Sequence, residues 1–318
     1  MIRIEHLSHV YPGRRGKPGR VALGDFSLAV ASGAMTILAG PNGSGKSTLF
    51  RILCGLALPS AGSVRIGGFD LFATPGPARA LMGVVFQAPA LDKHLSVAEN
   101  LRMHGRLYGL SGPVLASRMD EALAWTGLEG RLGDKVATLS GGLARQVELA
   151  KCLMSHPAVL LLDEPTTGLD PAARRSFLEA LVRIQRERGM TVLMTSHIFS
   201  EAEDADQVAI LRQGHLLACD SPGALRRQLG RDMVVVSAPA AATLAPRLEA
   251  ALGVACVRHG EELRIEILPE GGPVPLIDAV LAGFRDEVTS VAVRQPTLED
   301  VFVHITEGTP VSDQELRA

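Results

Sequence analysis

Long hydrophobic runs are missing from this 318-residue chain. Apolar stretches such as Val159-Leu160-Leu161-Leu162 and Val192-Leu193-Met194 fall far short of the ~20 residues needed to span a bilayer. The first residues, Met1-Ile2-Arg3-Ile4-Glu5-His6, alternate apolar and polar like a strand and lack the apolar core of a signal peptide, so a cytoplasmic location is expected. A surplus of one charge sign is missing too: Lys and Arg total 32 against 34 Asp and Glu, a net charge of −2. Without an overall basic field there is little to hold a nucleic acid, which is excluded as the expected partner. The four cysteines, Cys54, Cys152, Cys219 and Cys256, form no Cys-x-x-Cys pair and no zinc spacing, and read as reduced thiols. Glycine (33) and proline (19) make up about a sixth of the chain, below the range of low-complexity sequence. With 47% hydrophobic residues, the length suits about two globular domains.

Short apolar runs followed by Gly, Pro, Asp or Ser recur at Met35–Ala39, Val159–Leu162, Thr191–Met194 and Val208–Leu211, the pattern of strands buried on both faces of a parallel sheet. Helical spacings lie between them. Leu49, Ile52, Leu53 and Leu56 fall at i, i+3, i+4 and i+7, Phe177, Leu178, Leu181 and Ile184 share a helical face in the same way, and the alternation predicts an α/β fold. Residues 96 to 130, with Val97, Leu101, His104, Leu107 and Tyr108 and then Met119 to Trp125, read as an inserted helical subdomain. From Met233 onward the order becomes β-α-β-β-α-β: Met233–Ser237, Ala241–Leu252, Val254–His259, Leu263–Leu268, Pro275–Phe284 and Val288–Arg294. That order predicts a small ferredoxin-like α+β domain. Leu298–Thr306 closes it as a short helix, and a frayed tail begins at Gly308. The basic stretch Gly13 to Arg20 reads as a solvated hairpin loop or as a contact for an acidic partner or anionic head groups.

Gly40-Pro41-Asn42-Gly43-Ser44-Gly45-Lys46-Ser47-Thr48 satisfies G-x-x-x-x-G-K-[ST], with a strand before it and an amphipathic helix after it. Average residue usage would produce such a match by chance about once in a hundred chains of this length. Its glycines let backbone N–H groups turn toward a phosphate chain, the helix dipole adds to them, and Lys46 supplies a charge to the β and γ phosphates. Ser47 is placed to hold Mg2+. The strand Val159–Leu162 runs into Asp163 and Glu164, two acids that would be costly unless they face ions or water. Asp163 suits Mg2+, and Glu164 suits a general base polarising an attacking water. Gly40, Asp163-Glu164 and Ser196-His197 each follow an apolar strand, and ligands of open parallel sheets bind at the carboxyl ends of strands.

Leu139-Ser140-Gly141-Gly142, followed by Leu143-Ala144-Arg145-Gln146, resembles the LSGGQ signature of ABC transporter ATP-binding subunits. The resemblance covers residues 1 to about 230 and implies a P-loop NTPase of ABC type with a helical subdomain at about 88–155. The remaining chain is then an accessory or regulatory domain at 231–307, expected to stabilise the dimer or tune its closing, and a tail at 308–318. Ser140, Gly141 and Gly142 open a helix with apolar face Leu143, Val147, Ala150 and Met154, and a helix N-terminus so presented binds an anion. In the family that anion is the γ-phosphate held by the opposite subunit, so two copies sandwich two nucleotides head to tail. Leu143 departs from the pattern, standing where the signature has Gln. The resemblance also implies that Gln87 reaches Mg2+ and water and relays nucleotide state to the membrane partner. It implies that Gly168-Leu169-Asp170 crosses to the other subunit, that His197 contacts the γ-phosphate, and that Tyr11 stacks on adenine.

Gln295-Pro296-Thr297-Leu298-Glu299-Asp300-Val301-Phe302 resembles the terminal motif of the drug-resistance branch, similar to daunorubicin and doxorubicin exporters. The two resemblances together imply an ATP- and Mg2+-dependent ATPase, paired with itself or a homologous subunit, on separate integral membrane permeases at the cytoplasmic face of the membrane. An importer subunit, a soluble ABC-type ATPase and a nucleotide-binding regulator without turnover stand as alternatives, and the transported substrate is not encoded here.

Overall fold

The computed structural model describes residues 1–13, 19–228, 233–266 and 272–307. Residues 14–18 of the basic stretch, 267 and 268 of the expected strand and the tail from 308 lie outside the described residues. The chain forms two compact units, Met1–Ser221 and Pro222–Ala318.

In chain order the first unit begins with β1 (Ile2–Tyr11), β2 (Arg20–Val30), β3 (Met35–Ala39), α1 (Lys46–Leu53), β4 (Ala61–Ile66), β5 (Phe69–Asp70), α2 (Pro75–Ala80) and β6 (Met82–Val85). Helices α3 (Val97–Leu107), α4 (Gly112–Thr126) and α5 (Gly141–Leu153) follow. The unit ends with β7 (Val159–Asp163), α6 (Pro171–Arg188), β8 (Thr191–Ser196), β9 (Gln207–Arg212) and β10 (His215–Asp220).

Two sheets result, one antiparallel with order β2-β1-β4-β5 and one of order β10-β9-β3-β8-β7-β6. In β1, Ile2 and Ile4 are buried while Arg3 and Glu5 face out, the alternation of a strand covered on one face. Strands β3 and β8 are buried at every position, as the unbroken apolar runs require of strands packed on both sides. Their pairings with β7 and β9 are parallel. Helix α1 lies between the sheets: Leu49, Phe50, Ile52 and Leu53 share one core with Ile2, Ile4 and Phe26 of the antiparallel sheet and Leu38, Leu161 and Leu193 of the parallel one. Each such side chain contributes about 1.5–3 kcal/mol by burial. The helix stops at Leu53 because Gly55 turns left-handed (φ 69°), so Leu56, expected on the buried stripe, is 58% exposed.

In the helical segment, α3 opens on a reciprocal capping box between Ser96 and Glu99. Val97 and Leu101 are buried as the spacing predicts, whereas Leu107 and Tyr108 are exposed, because in that last turn it is Gly105 that packs, close to Leu115 and Met154.

The second unit comprises α7 (Pro222–Gln228), β11 (Met233–Ser237), α8 (Ala241–Leu252), β12 (Cys256–His259), β13 (Glu262–Glu266), α9 (Val274–Phe284), β14 (Ser290–Arg294) and α10 (Leu298–Glu307). Its sheet has order β12-β13-β11-β14 with every pair antiparallel, the ferredoxin-like arrangement. Val234, Val236, Leu263 and Ile265 pack on Leu244, Leu248, Val280 and Phe284. On the opposite face Arg264 pairs with Asp300 of α10. Asp300 also accepts from the Thr297 amide (2.8 Å) and hydroxyl (2.7 Å). The terminal motif therefore caps α10 and ties it to the sheet, while Glu299 is exposed.

Candidate nucleotide site

Strand register builds the site. Ala39 of β3 stands beside Ser196 of β8, and Thr195 stands beside Asp163 of β7. Gly40, His197 and Glu164, each at or just past a strand end, consequently emerge at one level of one sheet edge. The phosphate loop needs its glycines: Gly40 has φ 155°, and a Cβ there would strike the Leu211 carbonyl oxygen. Gly45, at φ 111°, is the N-cap of α1 and supplies no side-chain cap, leaving the first amides of the helix to another acceptor. Gly214 in the β9–β10 turn fastens the loop from outside by donating its amide to Ser44 O (2.8 Å).

Lys46 is 4% exposed. Its Nζ donates to the carbonyls of Gly40 (2.6 Å) and Pro41 (3.1 Å) and lies 4.0 Å from Glu164 Oε1. Burial pulls the ammonium below its usual 10.5, and Glu164 and Asp163 partly restore it. Asp163 is moved the other way: burial raises its carboxyl above 3.8, while the Thr195 hydroxyl, donating at 2.7 Å, pulls it back. The same hydroxyl accepts from the Glu164 amide (2.9 Å). Glu164 itself has a left-handed backbone (φ 42°), a conformation costing about 1–3 kcal/mol and often found at functional positions. Its Oε2 lies 3.2 Å from His197 Nδ1, with Thr167 Oγ1 at 3.3 Å. The Glu164 side chain is 14% exposed and that of His197 41%, and Glu164 forms part of the wall of an open cleft.

Tyr11, Asn42, Lys46, Ser47 and Glu164 line that cleft together. The Tyr11 hydroxyl is 3.2 Å from Thr48 Oγ1. Gln87, just beyond β6, is exposed, and its carbonyl accepts from Arg145 Nη2 at 3.3 Å. Asp170 is the N-cap of α6, accepting from the amides of Ala172 (3.0 Å) and Ala173 (2.9 Å). Ser140 caps α5 by accepting from the Leu143 amide (3.3 Å), and with Gly142 and Leu143 it lines a separate shallow depression that includes none of the phosphate loop. The tight approach of α5 to α6 explains Gly142, whose Cβ would come within 2.6 Å of Ala173 Cβ.

The donor set fits a magnesium nucleotide. A glycine-built cradle of amides faces a lysine, a serine hydroxyl and a carboxylate, and Ser44 Oγ is buried in the loop without a hydrogen-bond partner. Among the described residues no cluster of three His, Cys, Asp or Glu could hold a metal.

Three contributors escape sequence reasoning. Thr195 is the hinge between Asp163 and Glu164. Arg20, the last residue of the basic stretch, lines the nucleotide cleft, a place that its reading as part of a solvated loop or an anionic-partner contact did not give it. Glu201, its side chain 1% exposed, accepts from Ser196 Oγ (2.6 Å) and Thr166 Oγ1 (2.5 Å), tying the His197 turn to the segment after Glu164. The only local signal was an acid in a mostly apolar Ile198–Ala202 stretch.

The ABC transporter family model matches residues 23–167. The daunorubicin resistance ATP-binding protein DrrA2 of Streptomyces coeruleorubidus is 35% identical over 96% of this chain and 94% of its own length. The linearmycin resistance ATP-binding protein LnrL of Bacillus subtilis is 32% identical over 97% and 99%. A Nod factor export ATP-binding protein I of Rhizobium johnstonii is 38% identical over 69% of this chain and 70% of its own length. Among solved structures, the dimeric ATP-binding cassette MJ0796 in a post-hydrolysis state with ADP and Pi superposes with a TM-score of 0.62 at 26% identity, covering 70% of this chain and 98% of that one. The chain belongs to the ABC transporter family as an ATP-binding subunit. It is an ATPase built on the ABC cassette, a fold that binds ATP.

Proposed function

We propose that this subunit powers export by closing, with a second cassette, around two MgATP molecules, and that separately folded permeases carry the movement across the membrane. The observation that carries the reading is the division of parts. Lys46 and Glu164 line one cleft, with His197 against Glu164, while Ser140 and Gly142 lie elsewhere on the same unit. A second copy turned head to tail would bring its signature to the first copy's nucleotide.

In that arrangement the loop amides and Lys46 bind the β and γ phosphates, and Tyr11 stacks on adenine. Magnesium, held by Ser47, Asp163 and Gln87, would neutralise phosphate charge. Glu164 accepts the proton of the attacking water at a carboxylate oxygen, and His197 orients the γ-phosphate from the Nδ1 side of that carboxylate. Asp170 borders the partner's site. Binding energy is thereby turned into a bias between carrier conformations.

Export is supported by the resistance and Nod factor export relatives, two of which match both units. No described helix is long and apolar enough to cross a membrane, so a peripheral place on the cytoplasmic face requires a partner. The exposed Met103, Leu107 (79%) and Tyr108 at the end of α3 offer that partner an apolar patch. The solution mass of a Glu164→Gln variant, by light scattering with and without MgATP, tests the reading. Removal of the base traps closure, and the mass doubles with MgATP. A chain that binds MgATP and stays monomeric at every concentration would refute self-sufficient closure.

A further inference from the structure

Arg145 sits in the second turn of α5, five residues past Ser140. A charge there is unexpected, because α5 is enclosed nearly all round: Val147, Leu149, Ala150, Cys152 and Leu153 are buried, and so are Arg145 and Glu148. Taking a guanidinium out of water is costly unless each of its donors finds a partner. Here each of the three nitrogens finds one, four of the five N–H groups being bonded, and the partners are specific. Nε donates to the carbonyl of Pro165 (2.6 Å), the residue after Glu164. Nη1 donates to the carbonyl of Phe86 (2.5 Å) and to Glu148 Oε2 (3.0 Å), and Nη2 to the carbonyl of Gln87 (3.3 Å). Glu148 extends the grip, its Oε1 accepting from the Ala90 amide at 2.5 Å. Lys151 Nζ completes it by donating to Ala90 O at 2.7 Å.

One planar group thus joins the helix that bears the signature to two segments distant in sequence, the exit from β7 that carries Glu164, 20 residues away, and the Gln87 segment, 59 residues away. Every bond to the two loops goes to a backbone carbonyl, so it is the path of the chain that is gripped, whatever the side chains do. A fork with five donors can hold such a junction rigidly, whereas a lysine offers a single point of attachment.

We propose that Arg145 is the positioning residue that makes the signature helix, the Gln87 segment and the Glu164 segment respond as one body, so that nucleotide in the cleft of one chain sets the pose of the signature it offers to another. Coupling to a second copy presupposes the head-to-tail pairing above; coupling within one chain does not.

The test compares Glu164→Gln with Glu164→Gln/Arg145→Met and Glu164→Gln/Arg145→Lys. Binding of MgATP to the monomer, read with a fluorescent ATP analogue, should agree within about twofold, because no bond of Arg145 reaches the phosphate loop. The MgATP-dependent dimerisation constant should fall by about 5- to 150-fold in the Met variant, the span of ordinary coupling between sites, and recover in part with Lys. Dimerisation equal to that of Glu164→Gln overturns the proposal. So does an equal loss of monomer MgATP binding, which would signal general damage. If Glu164→Gln itself stays monomeric, the pairing has failed and the coupling is judged within one chain. It is judged there also if the Met variant does not fold. Hydrogen exchange on the unaltered protein then decides: MgATP should change protection at the Ala90 amide and at residues 141–144 together, and a change at Ala90 alone overturns the proposal.

Discussion

The phosphate loop and the signature are both glycine-rich turns feeding a helix, yet they present opposite surfaces. At α1 the N-cap is Gly45, which has no side chain to spend on the helix amides, and a buried lysine stands beside them. At α5 the N-cap is Ser140, whose hydroxyl already takes the Leu143 amide. Its depression is lined by Thr126, Gly142, Gln146 and Ser176, with no charged residue among the described ones. An N-terminus with only dipole and amides gives about 0.3–1 kcal/mol toward an anion at an exposed position. That is too little to capture a polyphosphate from water. It is enough to discriminate in favour of a phosphate whose charge has already been compensated elsewhere. On the head-to-tail pairing proposed above, the phosphate loop is therefore expected to capture nucleotide and the signature to sense it.

The largest expected effect attacks the capturing side. Replacing Lys46 with Met keeps the stem's volume and removes the one cation held on the loop carbonyls. Turnover, followed by phosphate release, should drop by about 10²–10³-fold, the cost of losing one preorganised electrostatic contact to a transferring group. Retention of more than about a tenth of the turnover would show that amides alone capture, and the distinction from the signature would collapse.

A smaller effect concerns stability and runs against function. Burial raises the Asp163 carboxyl, so between 3.8 and its folded value the native state binds more protons than the unfolded chain. Stability consequently falls as pH rises through that window, and the deficit persists at neutral pH. Asp163→Asn keeps an oxygen for the Thr195 hydroxyl and sheds the charge. At pH 7 its melting temperature should rise by about 2 °C, a figure discounted for solvent screening of a half-buried group, while Mg2+-dependent turnover is lost. A lower melting temperature would mean that Lys46 and Arg145 already compensate the carboxylate. No comparable gain is expected from neutral replacements at Ser140 to Leu143, none of which carries a charge.

Much of the capturing side was legible because its signals are local. Met35–Ala39 and the start of α1 at Lys46 fall where the run and the motif place them. The ferredoxin-like order also follows from short periodic segments, though β12 begins at Cys256 and β14 at Ser290, two residues later than their apolar runs, once turns claim the ends. The antiparallel sheet was hardly visible. In β1 the register shifts three times along its pairing with β2, so the alternation that marks a half-covered strand breaks down after Ile4. Arg145, Glu148, Thr195 and Glu201 were out of reach for a different reason. Their partners lie far away in sequence, and nothing in a local pattern tells a buried, fully bonded charge from a solvated one. The signal that was available is that α5 has too few polar positions to form a surface face. A charge pair at i, i+3 in such a helix has nowhere to go but inward.

The smallest effect probes the sensing side directly. Leu143 stands where the family signature has Gln, and in this chain only its backbone amide takes part in the cap, at 3.3 Å from Ser140 Oγ. Its side chain is half-buried at the rim of the depression. Leu143→Gln should therefore leave folding within about 0.5 kcal/mol. If the rim faces a partner's nucleotide, the new amide adds one hydrogen bond across the interface, worth about 1 kcal/mol. The MgATP-dependent dimerisation constant of Glu164→Gln should then rise roughly fivefold, with monomer MgATP affinity unchanged. A rise in monomer affinity instead would place residue 143 beside the nucleotide of its own chain, and capture and sensing would no longer belong to different surfaces.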